Sequence, residues 1–356
     1  MSRFSALHAV TVTVTGAVLL ALTGCVDSGR SSSPAADQAG CPWTPDDSVT
    51  TTARLAWQPS PTGDLIVQDK GILEACMPKA HITWSQFASG ADVVQAFGSN
   101  SVDLGLVGSS PAAKALSAPL NLPVQVVWIY EVIGDAESLV AHDPSINGIA
   151  DLKGKTVAVP FGSTSHYSLL SALNGAGLRP TADVQLINMA PDAMLAAWQG
   201  GQVDAAWVWN PVLGELENAG GRRVFSSADT AKAGNPTFDL AIATTDFVDK
   251  NPKFMQQWAK AQDWAVTMIH DDPAKASESM AIRMGISPDQ AGGQLKGYEY
   301  LAASDQASEE WLRGGLGDNL DGTAKFLLSQ GSIAAVSSPE VYAKAVDAGP
   351  AGTVGK

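Results

Sequence analysis

The feature that most constrains the fold is an alternation of strand-like and helix-like segments that occurs twice along one chain. Residues 51–58 read as a strand, with Ala53, Leu55 and Trp57 on one side, and residues 63–75 as a helix. Further strands are predicted at 81–87, 102–107 and 124–130. Between them lie helices at 90–98, with Ser89 as N-cap, and at 110–116. The pattern breaks near residues 131–140, where 138–141 is short and extended. A second series follows: strands at 156–160, 184–188 and 203–207, and helices at 165–176, 191–199 and 212–219. After another break near 233–240, a strand is expected at 238–244. The rest is almost all helix, including 251–270 with Phe254, Trp258, Trp264 and Met268 as its buried stripe. Strands alternating with helices predict open, largely parallel sheets. Two such series with two breaks predict an α/β fold of two lobes joined by two crossings. Residues 51–137 and 240–356 would form lobe 1, and residues 138–239 lobe 2. Ligand is expected in the cleft between them, near strand C-termini and helix N-termini.

The first residues read as an address. Residues 9–22 are 14 mostly apolar residues preceded by Arg3. That is short of the roughly 20 apolar residues of a membrane-spanning helix and suits a secretory leader. The run ends in Leu22-Thr23-Gly24-Cys25, which resembles the lipobox of bacterial lipoproteins. The resemblance implies cleavage before Cys25, a diacylglycerol on its thiol, and export to the outer face of the cytoplasmic membrane, held by a lipid anchor. Residues 1–24 are then a signal peptide, and 25–50, rich in Ser, Pro, Asp, Gly and Ala, a flexible tether. An exported context permits a Cys41–Cys76 disulfide, and two free thiols are the alternative. Such a bond stabilises by roughly 3–4 kcal/mol in the chain-entropy model.

Charge narrows the partners. The chain has 22 basic and 36 acidic side chains, a net charge of −14. Loss of the leader removes Arg3, so the mature chain stands at −15. Nucleic acid and anionic lipid surfaces need clustered Lys and Arg, so a role in binding either is disfavoured. Gly148 to Thr156 superficially suggests a phosphate loop, but it has five residues between its glycines and Lys155-Thr156 opens a strand, not a helix. HExxH, GxSxG, CxxC and Cys/His clusters are all absent from the sequence. No catalytic residue, cofactor or metal is assigned.

Two loops suit a small anion. Gly108-Ser109-Ser110-Pro111 follows the third strand, and Phe161-Gly162-Ser163-Thr164-Ser165-His166-Tyr167 follows the fifth, 156–160. Both join hydroxyls to the free N–H groups and positive dipole end of a helix start. Each serine run read alone is equally a helix cap. Asp239 sits inside an apolar strand at the second crossing, and Glu137 occupies the mirrored place at the first. A buried carboxylate needs a partner; a ligand ammonium and a structural Lys or Arg are the two choices. Trp198 and Trp207 read as core, and Trp209 as a cleft wall able to meet a cation.

The stretches Phe87-Ala88-Ser89-Gly90-Ala91, Gly108-Ser109-Ser110-Pro111, Val159-Pro160-Phe161-Gly162-Ser163-Thr164-Ser165-His166-Tyr167-Ser168-Leu169-Leu170, Ala196-Ala197-Trp198-Gln199-Gly200 and Val208-Trp209-Asn210-Pro211 resemble the taurine-binding proteins of bacterial ABC importers. The similarity runs from about Thr51 to the C-terminal helices. It implies a type II periplasmic binding fold that closes on a small zwitterionic sulfonate and delivers it, as a monomer, to a permease and its ATPase. It implies Ser109, Ser110, Ser163, Thr164 and His166 around the sulfonate, Asp239 and Glu137 at the ammonium, and Trp57, Gln58 and Trp209 as cleft walls. Trp57, Asn210 and the Tyr130-Glu131 pair depart from the family's usual residues. Another sulfonate, nitrate or a pyrimidine is the alternative ligand. An enzyme on the same fold is the rival of a different class, and it lacks support because the cysteine-rich motif of pyrimidine synthases is absent.

Overall fold

Eleven strands form among the described residues, 40–355, of the protein's computed structural model. In chain order they are β1 (Thr52–Trp57), β2 (His81–Gln86), β3 (Leu104–Gly108), β4 (Val124–Ile133), β5 (Glu137–Ala141), β6 (Thr156–Val159), β7 (Gln185–Asn188), β8 (Ala205–Trp209), β9 (Arg222–Ser226), β10 (Phe238–Thr244) and β11 (Tyr298–Glu299). The predicted signal peptide, Cys25 and residues 25–39 of the predicted tether lie outside the described residues.

The strands make two sheets, in the orders β11-β4-β10-β3-β1-β2 and β7-β6-β8-β5-β9. They are mixed, where largely parallel sheets were expected. In the first, β1 is parallel to β2 and β3, while β10 runs antiparallel to β3 and β4, and β11 antiparallel to β4. In the second, β6 is parallel to β7 and β8, while β5 runs antiparallel to β8 and β9. The cause is the crossing itself. Strands that precede a helix end at the cleft, but a strand arriving from the other lobe starts there. β5 and β10 therefore each run against their neighbours, and each begins at the cleft. Sheet membership changes at Glu137 and Phe238, one and two residues before the predicted lobe starts at 138 and 240.

Alternation along the strands feeds both faces of each sheet. In the second sheet Leu139 packs with Val157, Leu169 and Trp207 on one side, while Val140 packs with Ala158, Trp198 and Val208 on the other. In the first, Trp258 of helix Pro252–Asp271 meets Trp128 and Tyr130 edge-on, with ring centroids 6.2 and 6.3 Å apart. This helix buries Phe254, Trp258, Ala261 and Ala265, whereas Trp264 and Met268, expected in the stripe, are only partly buried. The helix expected at 63–75 is split into Gly63–Lys70 and Ile72–Cys76, because Gly71 adopts φ 62°, a left-handed conformation that ends the first helix.

Residues 40–50 do not behave as a free tether. Cys41 is bonded to Cys76. Asp46 N–H donates to the Cys76 carbonyl at 2.8 Å, Trp43 Nε1 donates to Gln257 Oε1 at 2.6 Å, and Val49 is 3% exposed. Lobe meets lobe on the far side as well, where the Tyr167 and Phe326 rings contact at 4.8 Å and Asn319 donates to the Pro236 carbonyl at 3.2 Å.

Candidate functional site

Each crossing strand delivers one carboxyl to the cleft. Asp239, second residue of β10, pairs in register with Gly108 on one side and Glu131 on the other. Glu137 opens β5 opposite Trp209. Between the sheets lies a small cavity. Of the residues singled out in the sequence, Gln58, Glu137, Ser163, Thr164, Trp209 and Asp239 line it.

Trp57, Ser109, Ser110 and His166 do not line it. Trp57 is 8% exposed and packs in the lobe 1 core, while Gln58 faces the cavity and donates to the Leu106 carbonyl at 3.0 Å. Ser109 Oγ accepts from Phe238 N–H at 3.2 Å and so ties β3 to β10; Ser110 is 1% exposed beside it. His166 Nδ1 accepts from Gly162 N–H at 3.2 Å, and its ring stacks on Phe161 at 4.5 Å. Burial, with the Lys114 charge second, lowers its imidazole to about 4. At neutral pH it is an uncharged brace for the loop, not a cation for an anion.

The free donors at the cavity are backbone N–H groups more than hydroxyls. Ser163 Oγ donates to the Pro160 carbonyl at 2.7 Å and accepts from His166 N–H as the cap of helix Thr164–Gly175. Thr164 Oγ1 donates to Glu137 at 2.5 Å. Both hydroxyl protons are therefore committed. The donors left at this helix start are the N–H groups of Thr164 and Ser165, which have no partner one turn back. The helix Gly90–Gly98 also starts at the cavity, through Gly90. A Cβ on Gly90 would lie 3.0 Å from Pro111 Cγ and 3.2 Å from Gly108 N, so glycine lets this helix start pack closely on the end of β3. Two further hydroxyls in the wall, Ser60 Oγ and Tyr298 OH, are buried without a partner. Neither gave a sequence signal, since Ser60 sits between two prolines and β11 is two residues long.

The carboxyls form a cluster without a cation. Glu137 accepts from Thr164, from Ser227 Oγ at 2.6 Å and from Ser168 Oγ at 3.5 Å. Burial raises its pKa and these hydroxyls oppose the rise. Glu137 thus anchors two helix starts of lobe 2, and the less committed acid is Asp239. Burial, then the Glu137 charge, pushes Asp239 up to about 7. Behind it, fully buried Glu131 is raised well above the carboxylate range by burial, then by the charges of Asp239 and Asp64. Burial pushes Asp64 up to about 7, although Tyr130 OH and Gln262 Nε2 donate to it at 2.6 and 2.7 Å. Among the described residues no Lys or Arg pairs with any of the four. Nor does any group of three or more His, Cys, Asp or Glu there suit a metal ion.

Comparison with known proteins fits this geometry. The taurine-binding periplasmic protein of Escherichia coli (strain K12) is 36% identical over 265 residues, covering 73% of this chain and 81% of that protein. The crystal structure of the periplasmic aliphatic sulphonate binding protein SsuA from Escherichia coli superposes with a TM-score of 0.68 at 25% identity, over 82% of this chain and 97% of that one. The periplasmic nitrate-binding protein NrtA from Synechocystis PCC 6803 shares the fold, with a TM-score of 0.66 at 18% identity over 85% of this chain and 86% of that one. A family model described as "NMT1/THI5 like" matches residues 82–276. The chain belongs to this NMT1/THI5-like family and has the two-lobed α/β fold of its periplasmic binding proteins.

Proposed function

We propose that this chain is the exported, lipid-anchored binding subunit of an ABC importer, that it captures taurine between its lobes, and that it hands the ligand to a permease and ATPase as a monomer. Its role is capture, not catalysis. The observation that carries the reading is the pairing of opposites in one cavity. Helix-start N–H groups at Gly90 and Thr164 offer donors for a sulfonate, and Asp239 offers an acceptor with no protein cation beside it. A sulfonate joined to an ammonium by two carbons satisfies both. The 36% identity to a taurine-binding periplasmic protein supports the same choice. Likeness to an aliphatic sulphonate binding protein supports a simple sulfonate as second reading, since the N–H donors serve either ligand.

Titration calorimetry of the chain without its leader, with taurine, ethanesulfonate and nitrate, separates the readings. Taurine is expected to bind at micromolar concentration or below. Asp239→Asn should weaken taurine by roughly 10- to 150-fold, the value of one charged hydrogen bond, and leave ethanesulfonate unharmed. Absence of heat at millimolar taurine would sink the ligand, and equal losses for both sulfonates would remove the ammonium role of Asp239.

A further inference from the structure

Glu131 is the carboxyl of the cluster that a ligand does not reach. It pairs with Asp239 across the β4–β10 ladder, is 0% exposed and does not line the cavity. Neither of its oxygens accepts a hydrogen bond from a donor among the described residues. A carboxylate buried without donor or cation is among the costliest groups a protein can hold. Its neighbours deepen the cost. Asp239 faces it from β10 and Asp64 from the helix Gly63–Lys70, and Tyr130, Tyr298 and Tyr300 stand around it, with Glu137 beyond Asp239. None of these is positive. Tyr130 OH is committed to Asp64 and Tyr300 OH to the Pro61 carbonyl, at 2.6 Å each, and Tyr298 OH, the uncommitted one, lies in the cavity wall and donates to neither Glu131 oxygen. What relieves Glu131 is a proton of its own. A protonated carboxyl has one O–H to give, and Asp239 is the adjacent acceptor.

We propose that Glu131 is a neutral carboxylic acid whose hydroxyl donates to the Asp239 carboxylate, so that it positions and charges the ammonium subsite from behind. The proposal rests on reading Asp239 as the ammonium contact. Its consequence is arithmetic: the pair presents one negative charge to the cavity, matched to one ammonium. A donated bond favours the ionised form of Asp239, against the burial that opposes it. The pair titrates as a unit, with the proton kept on the member that never meets the ligand.

The test uses two variants of the chain without its leader and one readout that needs no ligand. Glu131→Gln keeps a neutral donor of the same shape; Glu131→Met keeps the volume and removes the donor. Glu131→Gln should bind taurine within about threefold of wild type, because the donated hydrogen bond survives. Glu131→Met should weaken taurine about tenfold or more and shift the midpoint of its affinity–pH curve upward. Both should change ethanesulfonate affinity by less than about threefold, since it has no group for Asp239. In the infrared, wild type minus Glu131→Gln at pH 7 should show the C=O stretch of a protonated carboxyl. A missing band overturns the proposal. So does a Glu131→Gln loss as large as that of Asp239→Asn, which would make Glu131 an ionised direct contact, or a Glu131→Met midpoint that stays put. If wild type binds no taurine at all, the capture reading fails, and the infrared band still decides whether Glu131 carries its proton.

Discussion

Replacing Gly108 by Ala tests whether the two lobes must touch to hold a ligand. Gly108 ends β3 with φ −71° and ψ 162°, a conformation alanine adopts without strain. The obstacle lies across the cleft. An added Cβ would sit 2.5 Å from Thr164 Cγ2, whereas its nearest neighbour at Asp239, Oδ1, would be an ordinary 3.6 Å away. Carbon atoms pack at about 3.5–4.0 Å, so the overlap is about 1 Å. Overpacking of this kind costs about 1–3 kcal/mol. A hinge movement that parts the lobes removes it, so the whole cost falls on the closed, ligand-holding form. Taurine affinity should drop by roughly 5- to 150-fold. The melting temperature without ligand should hold or rise slightly, because alanine restricts the unfolded chain by about 0.4–1 kcal/mol. Thr164→Ser removes the offending methyl and keeps the hydroxyl that donates to Glu137. The double variant should therefore regain the affinity of Thr164→Ser alone. Calorimetry and thermal melts on the four proteins make the cycle. Unchanged taurine affinity in Gly108→Ala, or a double variant as weak as the single, would refute the claim that this contact is made on closure.

Two further outcomes follow from the buried acids and one from the disulfide. Asp64 and Asp239 both stand at about 7 in the folded chain, against an ordinary 3.8. Below about pH 4 folded and unfolded forms both hold these protons; between about 4 and 7 only the folded form does, so folding loses about 1.4 kcal/mol per group per pH unit. The ligand-free melting temperature should therefore fall from pH 5 to pH 8, less steeply in Asp64→Asn, and a rising profile would contradict the assignment. Taurine affinity should move oppositely, strengthening from pH 6 to pH 8 as Asp239 ionises, and calorimetry across that range would show a flat line if Asp239 were not the acceptor. The Cys41–Cys76 bond closes a separation of 35 residues, worth about 4 kcal/mol in the chain-entropy model; Cys41→Ser with Cys76→Ser should lower the melting temperature and make it insensitive to reductant.

Strands with apolar positions between turn residues were legible in the sequence, and β10 runs over the expected 238–244 even with Asp239 inside it. β9 was missed because Arg222 and Arg223 break its alternation. They are there for the fold's surface: Arg223 pairs with Glu217 at 3.0 Å, and Arg222 donates to the Ile146 carbonyl at 2.5 Å. The helix after it, Ser227–Lys232, carries a capping box between Ser226 and Asp229. Strand direction was misjudged for a different reason. A pattern of strands and helices says what each segment is, but not from which end it enters a sheet. At the site, residue type and loop position located Asp239, Glu137, Ser163, Thr164, Gln58 and Trp209 at the cavity. They could not reveal that the Ser163 and Thr164 protons point away from it, nor that Glu131 stands behind Asp239. Both depend on cross-strand register and on contacts between residues dozens of positions apart.

The net charge of −14 sits oddly with capture of a sulfonate only while charge is treated as a bulk property. Exposed carboxylates are screened within about 8 Å at physiological salt, so the cavity's own groups decide. On the proposed reading the sulfonate end needs no Lys or Arg, because helix-start N–H groups supply partial positive charge without a counter-ion that would compete for Asp239. An arginine in that wall would have paired with Asp239 and silenced it. A cavity wall without Lys or Arg among the described residues keeps one carboxylate unsatisfied, and an unsatisfied buried carboxylate is worth more to an incoming ammonium than one already shared. A simple sulfonate gains the N–H groups but leaves Asp239 unpaired beside it. With Asp239 as the proposed ammonium contact, the same absence of cations that favours the zwitterion disfavours the plain anion, and selectivity for an amine follows from what the cavity withholds.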